Sequence, residues 1–201
     1  AELNALSNFT FLQGASHPQE YALSAAALGL SGFALADRNS LAGVVRAHKA
    51  AKELGIRFVV AARLDLVQSL QAYEARPLDG ERRPRPPDGY SLLAYPMDRP
   101  AYARLSQLIS LGRQRAPKGA CWLTLGDVVE YGAGILFAFL PMTLPPGYDA
   151  DDTLGSLKDH FGDRLYVLTY PRFAGDDGIA HDAQLATAHR VPLLASNAPA
   201  M

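Results

Sequence analysis

The chain has 201 residues, 49% hydrophobic and 19% charged, a balance that fits one large globular domain able to bury about 70% of the surface its unfolded chain would expose. Nineteen basic against twenty acidic side chains leave a formal charge of −1. That lacks the basic excess by which a domain grips a nucleic-acid backbone, so any contact with DNA is expected to be indirect or confined to a local patch. The single cysteine, Cys121, excludes an intramolecular disulfide and a cysteine-based zinc site.

The opening AELNALSNFT has no basic segment followed by an apolar core, and no apolar run approaches the ~20 residues that span a bilayer. The expectation is a soluble, cytoplasmic chain with no membrane contact. Strand-like apolar runs then alternate with helix-period segments. The predicted strands are Leu3–Leu6, Gly32–Ala36, Phe58–Ala62, Ser91–Tyr95, Gly134–Leu140, Leu165–Thr169 and Pro192–Ser196. The predicted helices cover Pro18–Leu28, Leu41–Leu54, Pro100–Gln114, Leu125–Tyr131, Thr153–Phe161 and Asp177–His189.

Ser40 and Thr124 suit N-caps, Gly55 a C-cap, and Pro100 a first helical turn. Strand and helix in alternation predict parallel strands joined by crossovers, as a barrel or a doubly wound sheet; period alone does not separate the two. In either, ligands sit at the loops after the strands. The segment Arg76–Gly89, with four prolines, four arginines and three acids, breaks the rhythm and reads as an irregular surface insertion rather than an arm on DNA.

Hydrolysis of phosphoesters by metals needs converging imidazoles and carboxylates. Of the histidines, His48 is expected to pack against the sheet, His160 and His189 to sit in last helical turns, and His181 within a polar helix. His17 could reach the strand ends but reads better as a turn residue before Pro18. The strand-end loops carry Asp37-Arg38-Asn39, then Arg63 with Asp65, then Pro141-Met142-Thr143, Tyr170-Pro171-Arg172 and Asn197-Ala198-Pro199-Ala200. Arginine cannot ligate a cation, so this set reads as metal-free. Arg38, Arg63 and Arg172 could form an anion pocket; a buried ion pair from Asp37 to Arg38 or Arg63 would explain the same residues without a ligand. Phe9, Phe11, Tyr95 and Tyr170 are expected in the core or at its rim. No nucleophile elbow, Walker A sequence or dinucleotide fingerprint is present.

Five tracts, LNALSNFTFLQGASHPQEY, ALADRNSLAGVVRAHKAAKELGI, SLLAYPMDRPAYARLSQLISLGRQRAPKGACWLTLGDVVE, FGDRLYVLTYPRFAGDD and VPLLASNAPAM, resemble in order the polymerase-and-histidinol-phosphatase (PHP) domain of error-prone bacterial C-family DNA polymerases, DNA polymerase III alpha-subunit-like proteins. The resemblance covers essentially the whole chain. It implies a distorted seven-stranded (β/α) barrel forming a single domain over residues 1–201, the N-terminal fragment of a longer polymerase. Intact family sites begin with H-x-H, where this chain has Asn4-Ala5-Leu6, and a further ligand falls at Gln13. The family's D-H pair becomes Asp37-Arg38, its glutamate Arg63, a later histidine Arg172, and its closing D-x-H Ala198-Pro199-Ala200.

The resemblance therefore implies a structural domain without catalytic residues, metal or cofactor, in a DNA-repair and replication polymerase that itself uses magnesium for nucleotidyl transfer. Implied partners are the palm and thumb of the same chain, with the sliding clamp and accessory translesion proteins reached through the full-length protein. Two rival expectations stand beside it: an active metal-dependent phosphoesterase built on Asp37 and His17, and a module binding an anion or nucleic acid through the arginines.

Overall fold

A computed structural model describes residues 1–71, 88–171 and 177–199. Among these residues, eight strands form two sheets. The first is parallel, in the order β1 (Glu2–Ala5), β2 (Gly32–Leu35), β3 (Arg57–Val60). The second follows the chain through β4 (Ala62–Asp65), β5 (Ser91–Pro96), β6 (Ile135–Phe139), β7 (Leu165–Thr169) and β8 (Leu193–Ala195). The helices are α1 (Pro18–Ala27), α2 (Val44–Leu54), α3 (Arg99–Gln114), α4 (Leu125–Tyr131), α5 (Ala150–Phe161) and α6 (Asp177–Ala188).

The mixed α/β class is as expected, but the seven parallel strands are corrected to eight of mixed direction among the described residues. The apolar run Phe58–Ala62 conceals a break: β3 pairs parallel with β2, whereas Ala62 onward pairs antiparallel with β5. β5 and β6 are also antiparallel, and parallel pairing resumes from β6 through β8. The distorted seven-stranded barrel is not shown either: the ladders form sheets of three and five strands and do not run around the whole set.

At one seam the link is an isolated bridge, in which Arg63 N donates to Asp37 O (3.1 Å) and Asn39 N to Arg63 O (2.7 Å). At the other, Leu6 N donates to Pro199 O at 3.2 Å, and Glu2 accepts from Ser196 Oγ and Asn197 N. Both sheets nevertheless face one inner apolar cluster that includes Ala34, Ala36, Leu93, Ala138 and Leu168. Small alanines there let strands from the two sheets approach, and burial of that cluster is non-directional, so it does not require a continuous ladder.

A second cluster, Ala5, Tyr21, Ala22, Phe33, Leu35 and Ala47 among its members, joins the first sheet to α1 and α2. The largest, with Leu64, Leu92, Leu105, Leu108, Phe137, Leu157 and Leu165, lies between the second sheet and α3–α6. β2 is buried at every position, the pattern of a strand covered on both faces.

Caps explain most helix boundaries. Thr124 and Asp127 form a reciprocal capping box at α4, and Gly55 ends α2 at φ 68°. Asp98 accepts from Ala101 N at 2.7 Å, which places Pro100 in the first turn of α3. Asp149 caps α5 and starts it at Ala150, three residues before the expected Thr153. Ser40 does not cap α2: its hydroxyl accepts from Ala42 N, and the helix starts after Gly43. Of Arg76–Gly89, only Asp88 and Gly89 belong to the described residues. Among those residues, no helix is long and apolar enough to cross a membrane.

Candidate functional site

The strand ends converge on a cleft of about 290 Å³ lined by Arg38, Arg63, Asp65, Gly89, Ser91, Met142 and Thr143. Arg38 follows β2, Arg63 and Asp65 lie in β4, and Met142 and Thr143 follow β6 in a short 3₁₀ turn over Pro141–Thr143. Gly89 and Ser91 come from the start of β5, because that strand runs against its neighbours β4 and β6.

Asp65 organises the cleft. Its side chain is 4% exposed and accepts from Arg38 Nε at 2.5 Å and Arg63 Nε at 3.1 Å. Ser91 Oγ donates to the same carboxylate, and Asp65 N donates to Asn39 Oδ1. Asn39 adopts φ 48°, a left-handed conformation that asparagine tolerates, and its carbonyl accepts from Arg113 at 2.7 Å. Thr143 Oγ1 accepts from Ser91 N, fixing the turn after β6 against β5.

Asp37 does not join this group. It is 2% exposed and accepts from Ser7 N (2.8 Å), Ser7 Oγ (2.7 Å) and Thr10 Oγ1 (2.7 Å). The expected ion pair from Asp37 to Arg38 or Arg63 is thus corrected: neutral donors of the loop after β1 satisfy Asp37, and both arginines turn to Asp65. Alternation along β4 accounts for the Arg63 part of the exchange. Arg63 and Asp65, two apart in β4, share a face, which brings the Arg63 guanidinium to Asp65 rather than to Asp37.

The other positions singled out from sequence scatter. Asn4 is buried on β1, with its Oδ1 unpartnered among the described residues. Leu6 is half-buried at the β1–Pro199 seam, Gln13 is exposed, and Ala198 sits at φ 46° with its N–H on Ser196 Oγ. Arg172 and Ala200 lie outside the described residues. His17 stands at the N-terminus of α1, 2.8 Å from Asn8 and away from the cleft lining.

His48 is exposed on α2 rather than packed on the sheet, a correction that follows from Ala47 and Ala51 forming the buried face. His160 is in the last turn of α5 and His181 is exposed on α6; His189, one residue beyond α6, pairs with Asp151 at 3.0 Å. Tyr95 is buried, and its hydroxyl donates to Leu3 O. Phe9 lies beneath Arg46 at the rim, whereas Phe11 is 83% exposed and belongs to neither core nor rim.

Sequence reasoning missed the organising role of Asp65 and the part of Ser91. The Arg-x-Asp spacing of Arg63 and Asp65 was a usable signal; Ser91 had none, since its approach depends on β5 reversing direction. Among the described residues, no three histidine, cysteine, aspartate or glutamate side chains converge as a metal site would require. Arg38 and Arg63 cannot serve as ligands, so the donor set at this cleft does not fit a divalent-metal cluster.

Strand ends bearing a charged cleft beside two sheets and flanking helices define the class: the PHP domain family matches residues 2–174, and the chain belongs to that family. Curated relatives include error-prone DNA polymerase 3 of Agrobacterium fabrum, 39% identical over 98% of this chain, and the error-prone DNA polymerase of Ruegeria pomeroyi, 38% identical over 97%. The chain spans 16% and 19% of the length of those two relatives.

Among solved structures, a candidate metal-dependent phosphoesterase from Bifidobacterium adolescentis superposes with a TM-score of 0.69 at 14% identity, covering 98% of this chain and 86% of the other. An amidohydrolase from Chromobacterium violaceum gives 0.63 at 16% identity, covering 97% and 85%. These two show the fold alone.

Proposed function

We propose that this chain is a structural, non-hydrolytic PHP domain that works within an error-prone DNA polymerase, with its ancestral metal positions given over to an internal ion-pair network. The observation that carries the reading is the state of the carboxylates. Asp37, at a ligand position of the family, is buried and occupied by Ser7 and Thr10, while Asp65 is held between two guanidiniums. Where a metal would supply positive charge to hold strand ends together, Arg38 and Arg63 supply it here, and the network ties the end of β2 to β4 and β5. The similarity to polymerases five to six times longer supports a setting beside other domains of one chain, palm and thumb among them. In that reading the domain itself needs no cofactor, magnesium belongs to the polymerase centre elsewhere, and clamp or accessory translesion proteins are met through the full-length protein.

The test is to incubate the protein with zinc or manganese and an aryl phosphate. The expected result is no turnover above the metal alone. Turnover abolished by Asp37→Asn would instead establish an active phosphoesterase and overturn the proposal.

A further inference from the structure

The arginine pair is more than the glue for one carboxylate. Each guanidinium reaches Asp65 through Nε, and the terminal nitrogens of both find no acceptor among the described residues. Asp65 is turned inward: it is 3% exposed and also accepts from Ser91 Oγ. The other lining residues, Gly89, Ser91, Met142 and Thr143, carry no charge. Two guanidiniums therefore face the cleft against one carboxylate whose oxygens are already engaged. Their side chains are 27% and 20% exposed, open enough to meet a solute yet pinned at Nε, so little rotamer freedom is left to lose on binding.

We propose that this cleft is an oxyanion site for a phosphate group, received by the terminal nitrogens of Arg38 and Arg63. Arginine and phosphate match in planar, two-pronged hydrogen bonding, and a tetrahedral ion offers enough oxygens to meet two forks at once. The volume of about 290 Å³ lies at the lower limit of ~300 Å³ for pockets that enclose drug-sized molecules, which favours a small anion over an extended one. The proposal goes beyond the structural role and does not depend on it. Hydrolysis of a phosphomonoester would sink the structural reading and leave this site standing.

The experiment titrates inorganic phosphate into the protein at constant ionic strength, with chloride as the reference salt, following the Nε–Hε resonances of Arg38 and Arg63 and the melting temperature. Saturable shifts of those two resonances and a rise in Tm are expected. Arg63→Gln should weaken binding by about tenfold or more, the scale of one lost hydrogen bond to a charged group. Arg46→Gln, on α2 above Phe9, should leave it unchanged. A nucleoside 5′-monophosphate titrated in parallel identifies the source: tighter binding than phosphate means a terminal phosphate, and equal binding means the free ion. If Arg63→Gln does not fold, the wild-type resonances decide. Resonances that do not move, or equal weakening by Arg46→Gln, overturn the proposal.

Discussion

Asp65 is the side chain on which the cleft depends most. Removing its charge leaves two guanidiniums facing each other with no counterion, so like-charge repulsion is added to lost hydrogen bonds. A fully buried pair broken in this way costs ~3–5 kcal/mol; with the arginines 27% and 20% exposed, solvent screens part of that. Asp65→Asn is expected to destabilise the fold by about 2 kcal/mol, read as a lowered urea midpoint, and an unchanged midpoint would show that the network holds nothing. Asp37 illustrates how a residue's identity differs from its use. The resemblance implies a ligand position for this aspartate, yet its oxygens receive Ser7 and Thr10, and a Cβ on Gly43 would come within 3.1 Å of it. The sequence showed the charged residues at the strand ends; the partners followed only from which face each strand turned inward.

At the scale of elements, α3 packs so closely on the segment leading to α4 that a Cβ at Gly112 would stand 2.7 Å from Cys121 Sγ. Burial there pushes the Cys121 thiol up from its ordinary 9.0 to about 11, and burial raises Tyr90 to about 12. In the unfolded chain the thiol loses its proton near its ordinary value, whereas the folded chain keeps it. The stability this contributes is therefore intact below about pH 9 and declines towards pH 11, by about 1.4 kcal/mol per pH unit for one group. Melting curves across that range should fall more steeply for the wild type than for Cys121→Ala, and parallel curves would contradict the burial argument.

Elements with strong local signals were legible in the residues: α4 begins at a capping box and ends at Tyr131, and β7 matches its apolar run Leu165–Thr169. The division of Phe58–Ala62 was not, because Val60, Ala61 and Ala62 offer no glycine, proline or polar residue to mark where the chain leaves one sheet for the other. Nor did period reveal direction, since an apolar strand looks alike whether its neighbour runs with it or against it.

At the scale of the molecule, two sheets enclose a common apolar interior and are joined at their seams by single bridges and side chains rather than by full ladders. Glu2 and Asp65 hold opposite seams, and in the proposed function the ion pairs at the second take over the role of the metals. The central claim is that arginine charge has replaced divalent ions at these strand ends. Its most direct test is elemental analysis of the protein after exposure to excess zinc and manganese and removal of unbound metal. The account predicts less than one equivalent per chain, with no gain in melting temperature. Two or three retained ions per chain, lost on Asp37→Asn substitution, would contradict it.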